Sequence, residues 1–272
     1  MTTAGSAFRR LHDEPGAFVI PNPWDTGSAR ILASLGFRAL ATTSAGLAFS
    51  LGRADGNVSR DEVLAHSRMI VTATPLPVSA DLERGFGHSP ESAAETIRAA
   101  AATGLAGASL EDFSGHPGQP IYDFALAVER VQAAAEAARS LPEDFVFTAR
   151  CENLLHGLPD LDDVIRRLQA YEQAGADVLY APGLRDLDAI RTVCAAVTKP
   201  VNVIMGLPGV TFSFADLEAA GVKRISVGSA LARLAYGAVA QAAREMQDAG
   251  TFTRLEGIMG FAELEALVTK PE

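Results

Sequence analysis

The sequence predicts an α/β fold: a single (β/α)8 TIM barrel over residues 1–250 with an extra C-terminal helical extension over 251–272. Three observations predict it. Short apolar runs of strand length alternate with amphipathic helical stretches along the whole chain. Ala-rich helical segments repeatedly end in a glycine, at Gly36, Gly104, Gly175 and Gly221, with a strand following within a residue or two. Glycine there takes the left-handed conformation that closes a helix and turns the chain back at once. Strand starts also recur about every 29 residues, the length of a βαβ unit, and eight such units match a closed barrel. An open doubly wound sheet is the alternative, but no G-x-G-x-x-G follows the first strand to support it.

The elements follow in order. Ala17 to Ile20 is the first strand, and the run from Gly36 to Thr43 the second. Pro77 to Asp81, Leu105 to Glu111, Phe145 to Arg150, Ala176 to Tyr180, Pro200 to Ile204 and Val222 to Val227 complete the eight. Short buried runs bounded by helices require parallel pairing. Apolar residues at three- and four-residue spacing predict helices over Thr26 to Leu35, Arg60 to Thr74, Pro90 to Ala102 and Asp123 to Arg139. The same spacing continues over Asp160 to Ala174, Leu184 to Val197, Phe214 to Ala220 and Ala230 to Asp248. A ninth segment, Leu255 to Val268, lies beyond the barrel and is expected to pack on a neighbouring surface or subunit. Two connections exceed the short default, Ser44 to Ser59 and Asp112 to Ile121, and both leave C-terminal strand ends, where barrel enzymes keep their sites.

Composition narrows the function. At 48% hydrophobic and 21% charged, the 272 residues can bury a sizeable core, which excludes a disordered chain. The formal charge of −10 repels phosphate backbones and anionic membranes, so neither nucleic acid nor membrane is an expected partner. Two cysteines are too few for a disulfide framework, and no charged-then-apolar leader opens the chain, which predicts a cytoplasmic protein.

Residue types at the strand ends point to chemistry. Asp81 and Glu83 are an i, i+2 pair that on an extended segment faces one side, and Glu111 leaves the next strand. Carboxylates converging on one rim repel unless they share a cation. Hard oxygen ligands without paired His or Cys favour Mg2+, or Mn2+, over zinc. Taken singly, each acid also reads as a solvated loop residue or a helix N-terminal charge.

In order along the chain stand Thr43-Ser44-Ala45-Gly46-Leu47, the loop acid Asp55, Asp81-Leu82-Glu83-Arg84-Gly85-Phe86-Gly87, Leu110-Glu111-Asp112 and Ala149-Arg150-Cys151-Glu152. This pattern resembles the isocitrate lyase and phosphoenolpyruvate mutase superfamily. The resemblance implies a Mg2+-dependent barrel that binds a small carboxylate substrate and works through an enolate-like intermediate. It would put Ser44 and the amides of Gly46 and Leu47 on the substrate carboxylate and make Asp81 the direct metal ligand. Asp55, Glu83 and Glu111 would act largely through metal-bound waters, and Arg150 would face the substrate oxygens. It further implies a homodimer or homotetramer that exchanges the C-terminal helix. Asn202, at a strand end, is a candidate substrate contact, as is Tyr180.

The lyase branch of that superfamily carries a Lys-[Lys/Arg]-Cys-Gly loop after the fourth strand. Here the loop reads Asp112-Phe113-Ser114-Gly115-His116-Pro117-Gly118-Gln119-Pro120, with neither lysine nor cysteine, which argues against a true isocitrate lyase. Cys151 lies between two rim residues and is expected to be a buried free thiol. The expected activity is cleavage or decarboxylation at a carbon–carbon bond of a small 2-oxo or 2-hydroxy di- or tricarboxylate. Arg150, Glu111 and His116 are the expected catalytic residues, His116 as a loop acid. Phosphoenolpyruvate mutase or phosphonopyruvate hydrolase chemistry is the alternative, weakened by the missing loop cation although Gln119 offers an amide. A non-catalytic barrel that retains the metal acids is the third. Asp177 at the opposite barrel end and Asp25 near a helix start read as structural, and Gly228-Ser229 is discounted as a phosphate seat. His12, His66, His88 and His156 show no ligand spacing and read as surface or capping residues.

Overall fold

The computed structural model describes residues 3–269. Its main sheet is all parallel, in the order β1 (Phe18–Ile20), β10 (Arg224–Ser226), β9 (Val201–Ile204), β8 (Val178–Tyr180), β7 (Val146–Arg150), β4 (Gly107–Glu111), β3 (Val78–Asp81) and β2 (Leu40–Ala41). The Ala41 amide donates to the Pro21 carbonyl at 3.1 Å, which brings the two ends of the sheet together into a nearly closed barrel. Eight helices surround it: α2 (Thr26–Ser34), α4 (Arg60–Ala73), α5 (Pro90–Ala101), α6 (Phe124–Arg139), α7 (Leu161–Gln173), α8 (Leu187–Ala196), α9 (Phe214–Ala219) and α10 (Ala230–Ala249). Their starts are fixed by side chains that satisfy the free amides of a first turn. Asp25, Ser59 and Ser213 close capping boxes at α2, α4 and α9, and Ser89 caps α5 ahead of Pro90. The boundaries of these eight helices match the sequence reading closely except at α8. It starts at Leu187 because the Asp186 carboxylate accepts from the Ala189 amide at 2.8 Å.

Four features differ from the sequence reading. An N-terminal helix, α1 (Ala4–Asp13), precedes the barrel. Its Phe8 and Leu11 pack with Phe18, Ala39, Ala106, Val146 and Val178, residues at or beside strand starts, so α1 seals the N-terminal end of the barrel. A Cβ on Gly5 would stand 1.7 Å from the Asp144 carbonyl, so only glycine allows this approach. With apolar contacts over little more than one turn, α1 has too short a period to read from sequence. The loop expected over Ser44 to Ser59 begins with a short helix, α3 (Ser44–Ser50). The loop expected over Asp112 to Ile121 contains an antiparallel hairpin, β5 (Phe113–His116) and β6 (Gln119–Ile121). Finally, the segment expected as one helix from Leu255 to Val268 is a 3-10 turn at Thr253–Leu255 and a separate α11 (Phe261–Val268). Arg30 on α2 holds the end of α11, donating to the Val268 carbonyl at 3.1 Å. The first two residues of the expected barrel and the last three of the expected extension lie outside the described residues. No helix among the described residues is long and apolar enough to cross a membrane.

Candidate active site

Adjacent strand ends deliver adjacent charges. Arg150 ends β7 beside Glu111 at the end of β4, with Asp81 ending β3 next to that. The Arg150 side chain is only 13% exposed and reaches three carboxylates. Nη1 donates to Asp81 Oδ1 at 2.9 Å, Nη2 lies 3.2 Å from Glu111 Oε2 and 2.8 Å from Glu152 Oε1, and Nε donates to Glu152 Oε1 at 2.9 Å. Burial works against its charge, but Glu152, Glu111 and Asp81 outweigh that and hold the guanidinium protonated. The guanidinium also lies over the Tyr180 ring, 5.1 Å from its centroid.

Asp81 is shared. Its other oxygen accepts from the Ser44 hydroxyl at 2.9 Å and the Ser44 amide at 3.3 Å. Ser44 opens α3, and the next amides are engaged within that helix: Gly46 donates to Thr43 Oγ1 at 3.3 Å and Leu47 to the Thr43 carbonyl at 3.0 Å. Gly46 is required for close packing, because a Cβ there would stand 2.5 Å from Thr43 Cγ2.

Glu83 corrects one premise. The segment after Asp81 is not extended: Glu83 and Phe86 have φ of 48° and 56°, in the left-handed region that side chains avoid. The turn directs the Glu83 amide to Asp81 Oδ1 at 3.2 Å and buries the side chain, with Oε1 lacking any partner. Burial, then the charges of Asp81 and Asp55, push its carboxyl up to about 7. Glu111 is raised well above the carboxylate range by burial and by Glu152, Asp81 and Glu83, with Arg150 opposing. Asp55 stands on the exposed loop after α3, where partial desolvation and then Asp81 raise it, with Ser44 and the Gly56 amide opposing. The mouth therefore gathers Asp55, Asp81, Glu83, Glu111 and Glu152 around one arginine. Among the described residues no three His, Cys, Asp or Glu side chains are arranged to hold a metal ion directly. The acids nearest the centre are turned onto Arg150 instead.

Beneath this rim the barrel axis holds a cavity of about 50 Å3, lined by Asp81, Arg150, Tyr180, Asn202 and Arg224 together with small polar side chains such as Ser79 and Ser109. Barrel interiors are ordinarily filled by Val, Ile and Leu. Asn202 accepts from Arg224 Nε at 2.9 Å and donates from Nδ2 to Ser226 Oγ at 3.0 Å.

Two groups carry no role in the sequence reading. Glu152 is the most buried of the acids on Arg150, at 3% side-chain exposure. Its backbone is fixed by Asp112, which accepts from the Glu152 amide at 2.8 Å, from the Tyr171 hydroxyl at 2.5 Å and from Arg167 Nη1 at 3.3 Å. Burial nonetheless pushes Asp112 up to about 6. The i, i+2 spacing of Arg150 and Glu152 is the signal that could have exposed this clamp. Arg224 is the other, its signal a second cation directly after Lys223 in a strand whose alternate positions face the barrel interior.

The remaining candidates fall as follows. His116 is exposed on the hairpin and stacks on His88, with ring centroids 5.3 Å apart. Gln119 donates its amide to Asp123 Oδ1 at 2.9 Å. Cys151 is a buried free thiol whose pKa burial raises well above the usual range. Asp177 accepts from Arg9 Nη1 and the Phe147 amide, both at 2.9 Å, and ties α1 to the barrel. The Gly228 amide is taken by Asn22 Oδ1 at 2.9 Å. His12 and His66 are not surface groups: both are buried, donating to the Phe8 and Trp24 carbonyls at 2.9 Å. A carbonyl can only accept, so the bonded nitrogen of each carries the proton.

The comparisons with known proteins agree with this architecture. The family model described as phosphoenolpyruvate phosphomutase matches residues 8–247. A crystal structure from Burkholderia cenocepacia J2315 that bears the description lyase/mutase superposes with a TM-score of 0.96 at 55% identity, covering 99% of this chain and 96% of that one. Oxaloacetate acetylhydrolase, in complex with the product oxalate, gives a TM-score of 0.87 at 27% identity, covering 98% and 94%. The 2-methylisocitrate lyase of Escherichia coli K12 is 31% identical over 72% of this chain and 68% of its own. The chain belongs to the isocitrate lyase and phosphoenolpyruvate mutase superfamily.

Proposed function

We propose that this chain is a carbon–carbon lyase or decarboxylase acting on a small 2-oxo or 2-hydroxy di- or tricarboxylate. The observation that carries the reading is Arg150, buried among Asp81, Glu111 and Glu152 directly over a polar cavity in the barrel axis. The named relatives, 2-methylisocitrate lyase and oxaloacetate acetylhydrolase, support the same substrate chemistry.

A divalent cation fits the donor set: hard oxygens, an excess of acids over cations, and a buried Glu83 Oε1 with no partner. Asp81 would hold Mg2+, or Mn2+ in its place, directly, with Glu83, Asp55 and Glu111 acting mainly through water. When bound, the ion supplies positive charge to substrate oxygens that gain electrons as the bond breaks. The chain's own residues do the rest. Arg150 presents a fixed cation to the same oxygens, preorganised by its three carboxylates so that little reorientation is needed. Ser44 orients a substrate carboxylate with its hydroxyl, and Asn202 holds the cavity wall. His116, carried on the hairpin that follows β4, is the proton donor to the leaving carbon in this reading. A homodimer or homotetramer fits the exposed apolar side chains of Leu234, Val239, Ile258 and Phe261, and exchange of the C-terminal segment from residue 251 would cover them.

The family model's description favours a second reading, phosphonopyruvate chemistry. Against it, the hairpin carries no lysine to neutralise a phosphoryl group. Incubation with Mg2+ and oxaloacetate, then with phosphonopyruvate, separates the two, with Arg150→Met as the background control for spontaneous decarboxylation. The lyase reading predicts pyruvate, or oxalate with acetate, from the first above that background. Phosphate or phosphoenolpyruvate from the second alone would reverse the order, and no turnover of any such acid would leave a non-catalytic barrel.

A further inference from the structure

Arg224 lies at the floor of the same cavity and is buried among neutral groups. Nε donates to Asn202 Oδ1 at 2.9 Å, Nη2 donates to Thr148 Oγ1 at 3.0 Å, and Nη1 faces His12 Nε2 at 3.4 Å. His12 Nδ1 donates to the Phe8 carbonyl, so the nitrogen facing Arg224 is an unprotonated acceptor. Burial, followed by the Arg224 charge, keeps that imidazole neutral, pushing it down to about 3. Among the described residues no carboxylate pairs with the guanidinium, and the one acid among them that lines the cavity, Asp81, is already taken by Arg150 and Ser44. A buried cation without an anion is costly, and an apolar side chain would fill the barrel at less cost. The cost has a use if an anion enters from above.

We propose that Arg224 forms a second anion subsite at the cavity floor and takes one carboxylate of a small dicarboxylic acid whose other end is held at the mouth by Ser44 and Arg150. Asn202 and Thr148 orient the guanidinium from either side, leaving N–H groups for the incoming oxygens. The subsite selects diacids over monoacids, because a monoacid held at the mouth leaves the floor cation unpaired. It rests on the reading that the mouth grips an organic acid, and its test is therefore binding rather than turnover.

Isothermal titration and thermal shift with acetate, pyruvate, oxalate, malonate and succinate, in the presence of Mg2+ and without chloride, decide it. The wild type is expected to bind at least one of the three diacids about tenfold or more tighter than the monoacids. Arg224→Met is expected to lose that preference while keeping its affinity for pyruvate and its unloaded Tm. Asn202→Asp, which places a counter-ion beside Arg224, is expected to raise the unloaded Tm and weaken diacid binding. Equal binding of mono- and diacids by the wild type, or an undiminished preference in Arg224→Met, overturns the subsite and leaves the mouth reading standing. Binding of none of these acids overturns both. If Arg224→Met fails to fold, an unchanged diacid preference in Asn202→Asp overturns the subsite. Chloride alone giving the same Arg224-dependent stabilisation overturns the assignment to a carboxylate.

Discussion

Two guanidinium groups in one barrel have opposite surroundings. Arg150 at the mouth touches three carboxylates, while Arg224 at the floor touches an amide, a hydroxyl and a neutral imidazole. Both are buried, so solvation does not distinguish them. The difference lies in what each lacks. The mouth holds more negative charge than its arginine neutralises, leaving Glu83 Oε1 without a partner, and is short of a cation. The floor is short of an anion: burial lowers the Arg224 pKa to about 10. A metal ion at one end and an organic acid reaching toward the other would satisfy both.

Removing each arginine should therefore have very unequal consequences. Arg150→Met strands Glu152, Glu111 and Asp81, an effect of about 3–5 kcal/mol on unfolding free energy by urea titration, with turnover down by about 100-fold or more. A small loss of stability would show that the three acids do not depend on their ion pairs. His116→Ala is expected to lower kcat about 10- to 100-fold on the confirmed substrate while leaving its KM and the protein's Tm in place. Unchanged kcat removes the hairpin imidazole from the proton transfer.

The pH dependence of stability probes the floor. The folded His12 pKa of about 3 lies below its unfolded value of 6.5, so in that window the unfolded chain binds a proton that the folded chain refuses. The His12 contribution to stability is full well above pH 6.5 and falls as the pH drops toward 3, while Glu83, raised to about 7, adds a change of the opposite sign that His12→Gln leaves in place. Between pH 7.5 and 5.5 the loss from His12 is about 1.4 kcal/mol, and His12→Gln should remove it in urea titrations at the two pH values. His66, also lowered by burial, adds a decline of the same sign that His12→Gln leaves in place. Arg224→Met should soften the same slope, since the Arg224 charge is one cause of the His12 shift. The smallest expected effect is that of Arg224→Met on the unloaded protein at pH 7.5, within about 1 kcal/mol of the parent.

The difference between the two ends also explains what could be read from the sequence. The barrel was legible because eight units repeat one local signal, an apolar run and a helix, closed by a glycine at Gly36, Gly104, Gly175 and Gly221, and the caps at Asp25, Ser59 and Ser213 sharpen it. The charged groups of the rim were legible because Asp81, Glu111 and Arg150 end their strands. The left-handed turn at Glu83 was not, because its residue type gives no sign of a positive φ. Nor was the short helix α3, which is held by a single Thr43 cap, or α1, whose stability comes from packing across strand starts far away in sequence. Arg224 escaped for a related reason. Its meaning depends on which groups surround it, and those come from β7, β9 and α1.

The central claim is that the mouth is built for a divalent cation together with an organic acid. Calorimetric titration of Mg2+ into the protein in the presence and absence of oxalate tests it directly, alongside Asp81→Asn and Glu83→Gln. The account predicts that oxalate and Mg2+ each tighten the binding of the other, and that both substitutions abolish the coupling. Mg2+ binding that is absent, or identical in the wild type and both variants, would contradict it.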